Sequence, residues 1–173
     1  SKKTLGIVGF GNVGVRLSNL VKGFDMNILV NSKSLESRKK DYPHVKNVSF
    51  EDLISNSDII SFHCKSAKDG KPLITKEHYK KMKPTAYIIN AARGNIVDEK
   101  DLNEALNENL IAGAALDVYS KEPAKENVLF NNPKAILTPH IAASTTEASI
   151  VVAEMVANQI SDFLLNGVKI NTV

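Results

Sequence analysis

Short apolar runs alternate along the chain with stretches whose apolar positions recur three and four residues apart. Runs at residues 5–8, 27–30, 59–62, 87–89, 112–116 and 135–137 have the length and composition of strands, and a weaker one lies near residues 45–48. Between them, residues 13–21 place Val13, Leu17, Leu20 and Val21 at helical spacing. Residues 51–54 read as a short helix or turn, and residues 76–82 as a helix ended by Pro84. Residues 100–106 form a helix with Asp98 as its cap, and residues 144–165 a long helix with Gly167 just past its end. Near-continuous apolar strands separated by helices are buried on both faces, as in a parallel sheet with helices on each side. The pattern therefore predicts an α/β fold, a doubly wound parallel sheet in three layers, α/β/α. Ligands bind such sheets beyond the carboxyl ends of the strands. The residues to inspect are then Gly9, Asn31, His63, residues 91–93, Asp117 and His140.

The first strand runs into GFGNVG, which is Gly9-x-Gly11-x-x-Gly14. The first glycine permits the tight turn, the second lets backbone approach a pyrophosphate, and the third lets helix pack on strand. The helix starting near Asn12 would aim its free N–H groups and positive dipole end at the phosphates. The motif directly follows a strand and opens an amphipathic helix, the context of a Rossmann-type dinucleotide-binding domain. An NAD site of this kind ends its second strand in an acid, about 20 residues on, that binds the adenosine ribose. Here the sequence reads ILVNSKSLESR, with Ser32 at that position, Lys33 and Ser34 after it and Arg38 nearby. Nothing in residues 31–34 repels a 2′-phosphate, and Lys33 could pair with one, so both NAD and NADP stay open as cofactors.

Composition narrows the class. The chain has 173 residues, 43% hydrophobic and 24% charged, enough for one domain with a sizeable core. A net charge of +3 without a basic block gives no footprint for nucleic acid. One cysteine, Cys64, leaves no disulfide framework and points to a reducing cytoplasm. No stretch reads as approaching the roughly 20 apolar residues of a membrane span, and the start lacks a signal-peptide core. No cluster of metal ligands stands out.

Three strands are followed by polar residues suited to chemistry. Arg93 follows Asn90-Ala91-Ala92, Asp117 and Glu122 follow the strand at residues 112–116, and His140 follows the last strand in LTPHIAAS. Histidine moves protons near neutral pH, a carboxylate beside it favours and orients the imidazolium, and an arginine fork takes a carboxylate bidentately. Singly, each also fits a surface ion pair, a turn carboxylate or a helix-start residue. Together beyond a GxGxxG sheet they describe a site for a 2-hydroxy or 2-oxo acid beside a nicotinamide. His44, His63 and His78 read as structural or surface residues.

The segments LGIVGFGNVG, IINAARGNIVDEKDLNEAL, IAGAALDVYSKEP and ILTPHIAASTTEA resemble the nucleotide-binding domain of the D-isomer-specific 2-hydroxyacid dehydrogenases, with the phosphoglycerate dehydrogenase branch most similar through TPHIAASTTEA. The resemblance covers essentially the whole chain. It implies that His140 exchanges a proton with the substrate's C2 oxygen, that Glu122 hydrogen-bonds His140 and raises its pKa, and that Arg93 binds the carboxylate and carbonyl oxygen. It further implies that Asp117 meets the nicotinamide carboxamide and that Asn12 and Val13 offer backbone to the pyrophosphate. Cys64, Ala91, Ala92 and Ala143 would line the cofactor cleft. The family pairs as homodimers through this domain. Its members carry a second, substrate domain built from both sides of the nucleotide domain. Residues 1–166 are then the dinucleotide-binding domain and residues 167–173 the start of a return crossing to a substrate domain outside this chain, so the isolated chain should bind dinucleotide yet turn over poorly. Other readings stay open: an NAD(H)-sensing, corepressor-like module, an NADPH-using glyoxylate or hydroxypyruvate reductase, and a relative acting on formate or phosphite.

Overall fold

The computed structural model describes residues 2–170. Its strands are β1 (Thr4–Val8), β2 (Asn27–Asn31), β3 (Lys46–Asn47), β4 (Ile59–Phe62), β5 (Tyr87–Asn90), β6 (Gly113–Leu116) and β7 (Ala135–Leu137). They form one sheet in the order β3-β2-β1-β4-β5-β6-β7, with every neighbouring pair parallel. Parallel neighbours need crossover connections. The helices α1 (Asn12–Leu20), α2 (Phe50–Asn56), α3 (Lys76–Tyr79) and α4 (Glu99–Asn107) supply most of them. The chain winds outward in both directions from β1, which puts a crevice between the ends of β1 and β4.

The register sets where function can sit. Val8 pairs with Asn31 and with Phe62, Phe62 with Asn90, Asn90 with Leu116, and Leu116 with Leu137. Six strands therefore end level, and the residues that follow them share one rim.

Two apolar clusters hold the sheet. On one face Val8, Ile60, Phe62, Ile88 and Leu116 pack with Leu53 and Ile54 of α2, Tyr79 of α3 and Leu102, Ala105 and Leu106 of α4. On the other, Leu5, Ile7, Ile28 and Val30 pack with Phe10 and Leu35, with Val15 and Leu17 of α1 against them. This is the three-layer arrangement the pattern predicts, but only over β1, β2 and β4. Tyr87, Ile89 and Ile136 lie on the second face across β5–β7, and Ile136 is 71% exposed. The expectation that every strand is buried on both faces fails there, because α2, α3 and α4 all pack into the first cluster.

Local chemistry explains the element ends. Asp98 caps α4, its Oδ1 accepting from the N–H groups of Lys100 at 2.9 Å and Asp101 at 3.0 Å. α3 stops at Tyr79, short of the predicted residue 82, and α2 runs longer than the predicted residues 51–54 because Ser49 caps it ahead of Phe50. A 3-10 segment, Lys33–Asp41, fills a stretch that periodicity left unassigned, since a single buried side chain, Leu35, anchors it.

The chain divides into two compact units, Ser1–Pro139 and His140–Val173. The second contains α5 (Thr146–Asn166), capped by Thr145 and ended by Gly167 in the left-handed conformation. None of its residues is buried, and Ile150, Val151, Met155, Val156, Ile160 and Phe163 are among its exposed side chains. By length and composition alone α5 could cross a membrane, with mean hydropathy 1.3, which corrects the reading that no stretch approaches a span. The expected return crossing, residues 167–173, lies partly outside the described residues.

Asp98→Ala should destabilise the first unit by about 1 kcal/mol through two lost cap hydrogen bonds. Urea unfolding at neutral pH measures it, and Asp98→Asn should recover most of the loss.

Candidate functional site

The rim begins at the phosphate loop. Gly9 has φ +93°, and a Cβ there would lie 2.5 Å from the His63 carbonyl oxygen. The loop is locked from both sides, by Gly9 N–H to Asn31 O at 3.0 Å and His63 N–H to Val8 O at 2.7 Å. A Cβ at Gly14 would lie 2.4 Å from Gly9 O, so α1 can sit this close to the turn only without a side chain. Gly11 has nothing within 4 Å of a Cβ position. α1 has no side-chain cap and no acid in its first turn, so the N–H groups of Asn12 and Val13 start a helix whose positive end is open to an anion. These residues fit the pyrophosphate of a dinucleotide.

Next on the rim, Ser32 is half-buried and its hydroxyl lies 3.0 Å from that of Ser34, while Lys33 is exposed. Cys64 follows β4 and is half-buried; burial pushes its thiol up from the ordinary range, which suits a wall of the cleft and not a nucleophile. The three histidines of this unit, His44, His63 and His78, are occupied. The His63 ring meets Ser61 Oγ at 2.9 Å and burial holds its pKa down. His44 meets Ser18 Oγ at 3.3 Å, and His78 accepts from Thr75 N–H at 3.1 Å in a capping box on α3.

Beyond β5, a fully buried Asn90 organises the loop that carries Arg93. Its Oδ1 accepts from Ala92 N–H at 3.2 Å, its Nδ2 donates to Arg93 O at 2.9 Å, and its own carbonyl accepts from Asp117 N–H at 2.9 Å. Gly94 completes the turn, since a Cβ there would fall 1.8 Å from Tyr119 O. The Arg93 guanidinium does not rest against the core. It is exposed, with Nη1 donating to Ala92 O at 2.6 Å. Ala91 is exposed and Ala92 half-buried beside it.

After β6, Asp117 is buried and accepts from Thr138 Oγ1 at 2.6 Å. Glu122 Oε1 accepts from Tyr119 N–H at 2.9 Å, and Tyr119 Oη donates to Thr138 O at 2.9 Å. Glu99 of α4 ties down the same loop, accepting from Ser120 N–H at 2.7 Å and from Asn127 Nδ2 at 2.9 Å. The first unit thus gathers Gly9, Gly11, Asn12, Val13, Gly14, Ser32, Lys33, Cys64, Ala91, Ala92, Arg93, Asp117 and Glu122 at the carboxyl ends of its strands. Periodicity alone overlooks Asn90 and Glu99. The one available signal is a lone Asn at the end of an apolar strand, which must satisfy its amide somewhere once buried.

His140 and Ala143 belong to the second unit, on the segment leading into α5. His140 is exposed and has φ +57°, in the left-handed region that histidine tolerates better than most residues. Such backbone strain clusters at functional sites. Among the described residues no group of three or more His, Cys, Asp or Glu side chains could hold a metal.

The family profile described as D-isomer specific 2-hydroxyacid dehydrogenase, NAD binding domain, matches residues 1–142. A glyoxylate reductase of Thermococcus litoralis is 40% identical over 171 residues, covering 99% of this chain and 52% of that protein. A D-3-phosphoglycerate dehydrogenase of Synechocystis sp. is 42% identical over 164 residues, covering 95% of this chain and 30% of that protein. Among solved structures, a glyoxylate reductase from Paecilomyes thermophila superposes with a TM-score of 0.87 at 34% identity, covering 97% of this chain and 51% of that one. The chain spans 52%, 30% and 51% of the length of these three relatives, and the matching profile is that of their NAD-binding domain. A level-ended parallel sheet, a glycine loop with no room for side chains and a profile covering most of the sequence lead to one conclusion: this chain belongs to the D-isomer-specific 2-hydroxyacid dehydrogenases, as their NAD-binding domain.

Proposed function

We propose that this domain serves an oxidoreductase that moves a hydride between a nicotinamide dinucleotide and C2 of a D-2-hydroxy acid. The observation that supports this most is the Asn90 clamp, which presents Arg93 on the same rim as the phosphate loop. Bound NAD(P) would supply the hydride donor or acceptor. Arg93 is the carboxylate anchor: its planar fork can take a 2-oxo acid through two parallel hydrogen bonds. His140 is the acid/base, giving a proton to the C2 oxygen on reduction and taking it back on oxidation. Glu122 is the candidate carboxylate partner of the acid/base, the role that the family resemblance implies for it. Asp117 is the acceptor for the nicotinamide carboxamide, and Ala91, Ala92, Ala143 and Cys64 are the small walls of the cleft.

The chain spans about half of its glyoxylate reductase relative, and on this reading the second wall of the substrate cleft belongs to the other half of such an enzyme. Expelling water from such a site needs both walls. The isolated chain should bind NADH or NADPH yet reduce glyoxylate and hydroxypyruvate at no more than background rate. A steady-state turnover of about 10 s⁻¹, ordinary for an enzyme, would refute this. In an enzyme carrying both halves, His140→Asn should lower kcat by about 10²- to 10⁴-fold. Arg93→Ala should mainly raise KM for the 2-oxo acid. Asn90→Ala, which frees the loop but keeps the guanidinium, should fall between wild type and Arg93→Ala. Equal effects of His140→Asn on kcat and on NADH affinity would count against the acid/base role.

The same reading includes a homodimer built on α5. Its exposed apolar residues surround a groove of about 260 Å³ lined by Val156, Ile160, Phe163, Leu164, Val168 and Ile170. Apolar surface of this extent marks an interaction site. Glu154 and Asp162 along the helix are costly in lipid, which favours a second copy over a bilayer. Sedimentation equilibrium should give a dimer, converted to monomer by Ile160→Asp with Phe163→Asp. Flotation with lipid vesicles in place of dimerisation would overturn it. The free Cys64 agrees with a reducing cytoplasm.

A further inference from the structure

We infer that the segment after β2 reads a 2′-phosphate, with Arg38 as the residue that selects NADP(H) over NAD(H). The inference rests on the dinucleotide reading of Gly9–Gly14 and deepens it.

The position follows from register. Asn31 ends β2 level with Val8, so Ser32 and the 3-10 segment Lys33–Asp41 begin beside the phosphate loop. In a Rossmann-type site this is where the adenosine ribose lies. An acid there binds both ribose hydroxyls and repels a 2′-phosphate. Residues 31–40 contain one acid, Glu36, and it is committed elsewhere: it accepts from Asn47 Nδ2 and pairs with Lys39 at 2.6 Å. Asn47 in turn brackets Ser32, accepting from its N–H and donating to its carbonyl, each at 3.2 Å. Glu36 is thereby held on the Asn47 side of the segment.

Arg38 is held the opposite way, against the phosphate loop. Its Nη2 donates to Phe10 O at 2.8 Å and to Ser34 Oγ at 3.2 Å, and its Nε donates to Ser34 O at 3.1 Å. Its guanidinium carbon lies 5.8 Å from the centre of the Tyr42 ring, which itself stands edge-on to Phe10 at 5.1 Å. Phe10 is the residue between the first two glycines of the motif. These contacts use three of the five guanidinium hydrogens and leave, among the described residues, the Nη1 pair. The guanidinium of half-buried Arg38 is therefore braced before any ligand arrives, so little side-chain entropy is left to lose on binding. Ser34 Oγ donates to the same Phe10 O at 3.4 Å, and Ser32 Oγ, 3.0 Å from it, adds a hydroxyl that can turn to donate. A braced fork with the Ser32 hydroxyl beside it and no available carboxylate is a receptor for a phosphate monoester. Lys33, which sequence alone nominates for this task, is exposed at the segment's first turn. Arg38, five residues on, is the cation that structure brings back to the loop.

The test is a pair of titrations of the chain with NADPH and NADH at one fixed ionic strength, read by nicotinamide fluorescence, with 2′,5′-ADP and 5′-ADP as competitors. NADPH should bind at least tenfold more tightly than NADH, and 2′,5′-ADP should outcompete 5′-ADP. Arg38→Ala should weaken NADPH at least tenfold more than it weakens NADH. Arg38→Lys, which keeps the charge and loses the fork, should fall between them. Tighter NADH binding by the unsubstituted chain, a result that needs no variant to fold, would overturn the inference. So would equal loss of both cofactors in Arg38→Ala, which would make Arg38 only a brace for Phe10. If neither cofactor binds the unsubstituted chain at millimolar concentration, the reading of residues 9–14 fails and takes this inference with it.

Discussion

Val8 pairs with Asn31 on one side and Phe62 on the other, and the functional rim depends on that shared register. It requires three strand ends to turn away within a few ångströms of one another. The turns fit because Gly9 has no side chain to strike the His63 carbonyl and Gly14 none to strike Gly9. Closing the first turn so tightly aims the uncapped start of α1 at the space above the sheet. Each residue given a role in cofactor binding by the first unit inherits its position from this arrangement.

Further along the rim, buried amide and carboxylate groups take over from glycine. Asn90 and Asp117 are desolvated, and each finds partners that belong to a functional loop. Leaving such groups unpaired would cost about 1–3 kcal/mol each, so the loops are held by the same bonds that satisfy the core. Glu99 does this from the helix side, on the loop that carries Glu122. Arg93 can remain exposed because its backbone, not its side chain, is what the fold secures.

The apolar surface is distributed unevenly. Over β1 and β2 both faces are covered, whereas Tyr87, Ile89 and Ile136 stay exposed on one face of β5–β7, and α5 buries none of its residues. Contiguous apolar surface on this scale marks an interaction site.

The order of strands and helices, the phosphate loop and the cap at Asp98 were legible in the sequence, because each is written in local spacing: apolar period, glycine interval, a carboxylate one turn from an N–H. The candidates Arg93, Asp117 and Glu122 were legible too, since residues that follow strands in a parallel sheet must share an edge. What spacing could not reveal are the pairings between distant segments. That Asn90 holds the Arg93 loop, that Glu36 turns to Asn47 while Arg38 turns to Phe10, and that α5 remains uncovered are outcomes of which side chains compete for the same donors and the same apolar surface once the sheet closes. Local sequence decided which residues reach the rim; only tertiary packing decided which of them are free to meet a ligand there.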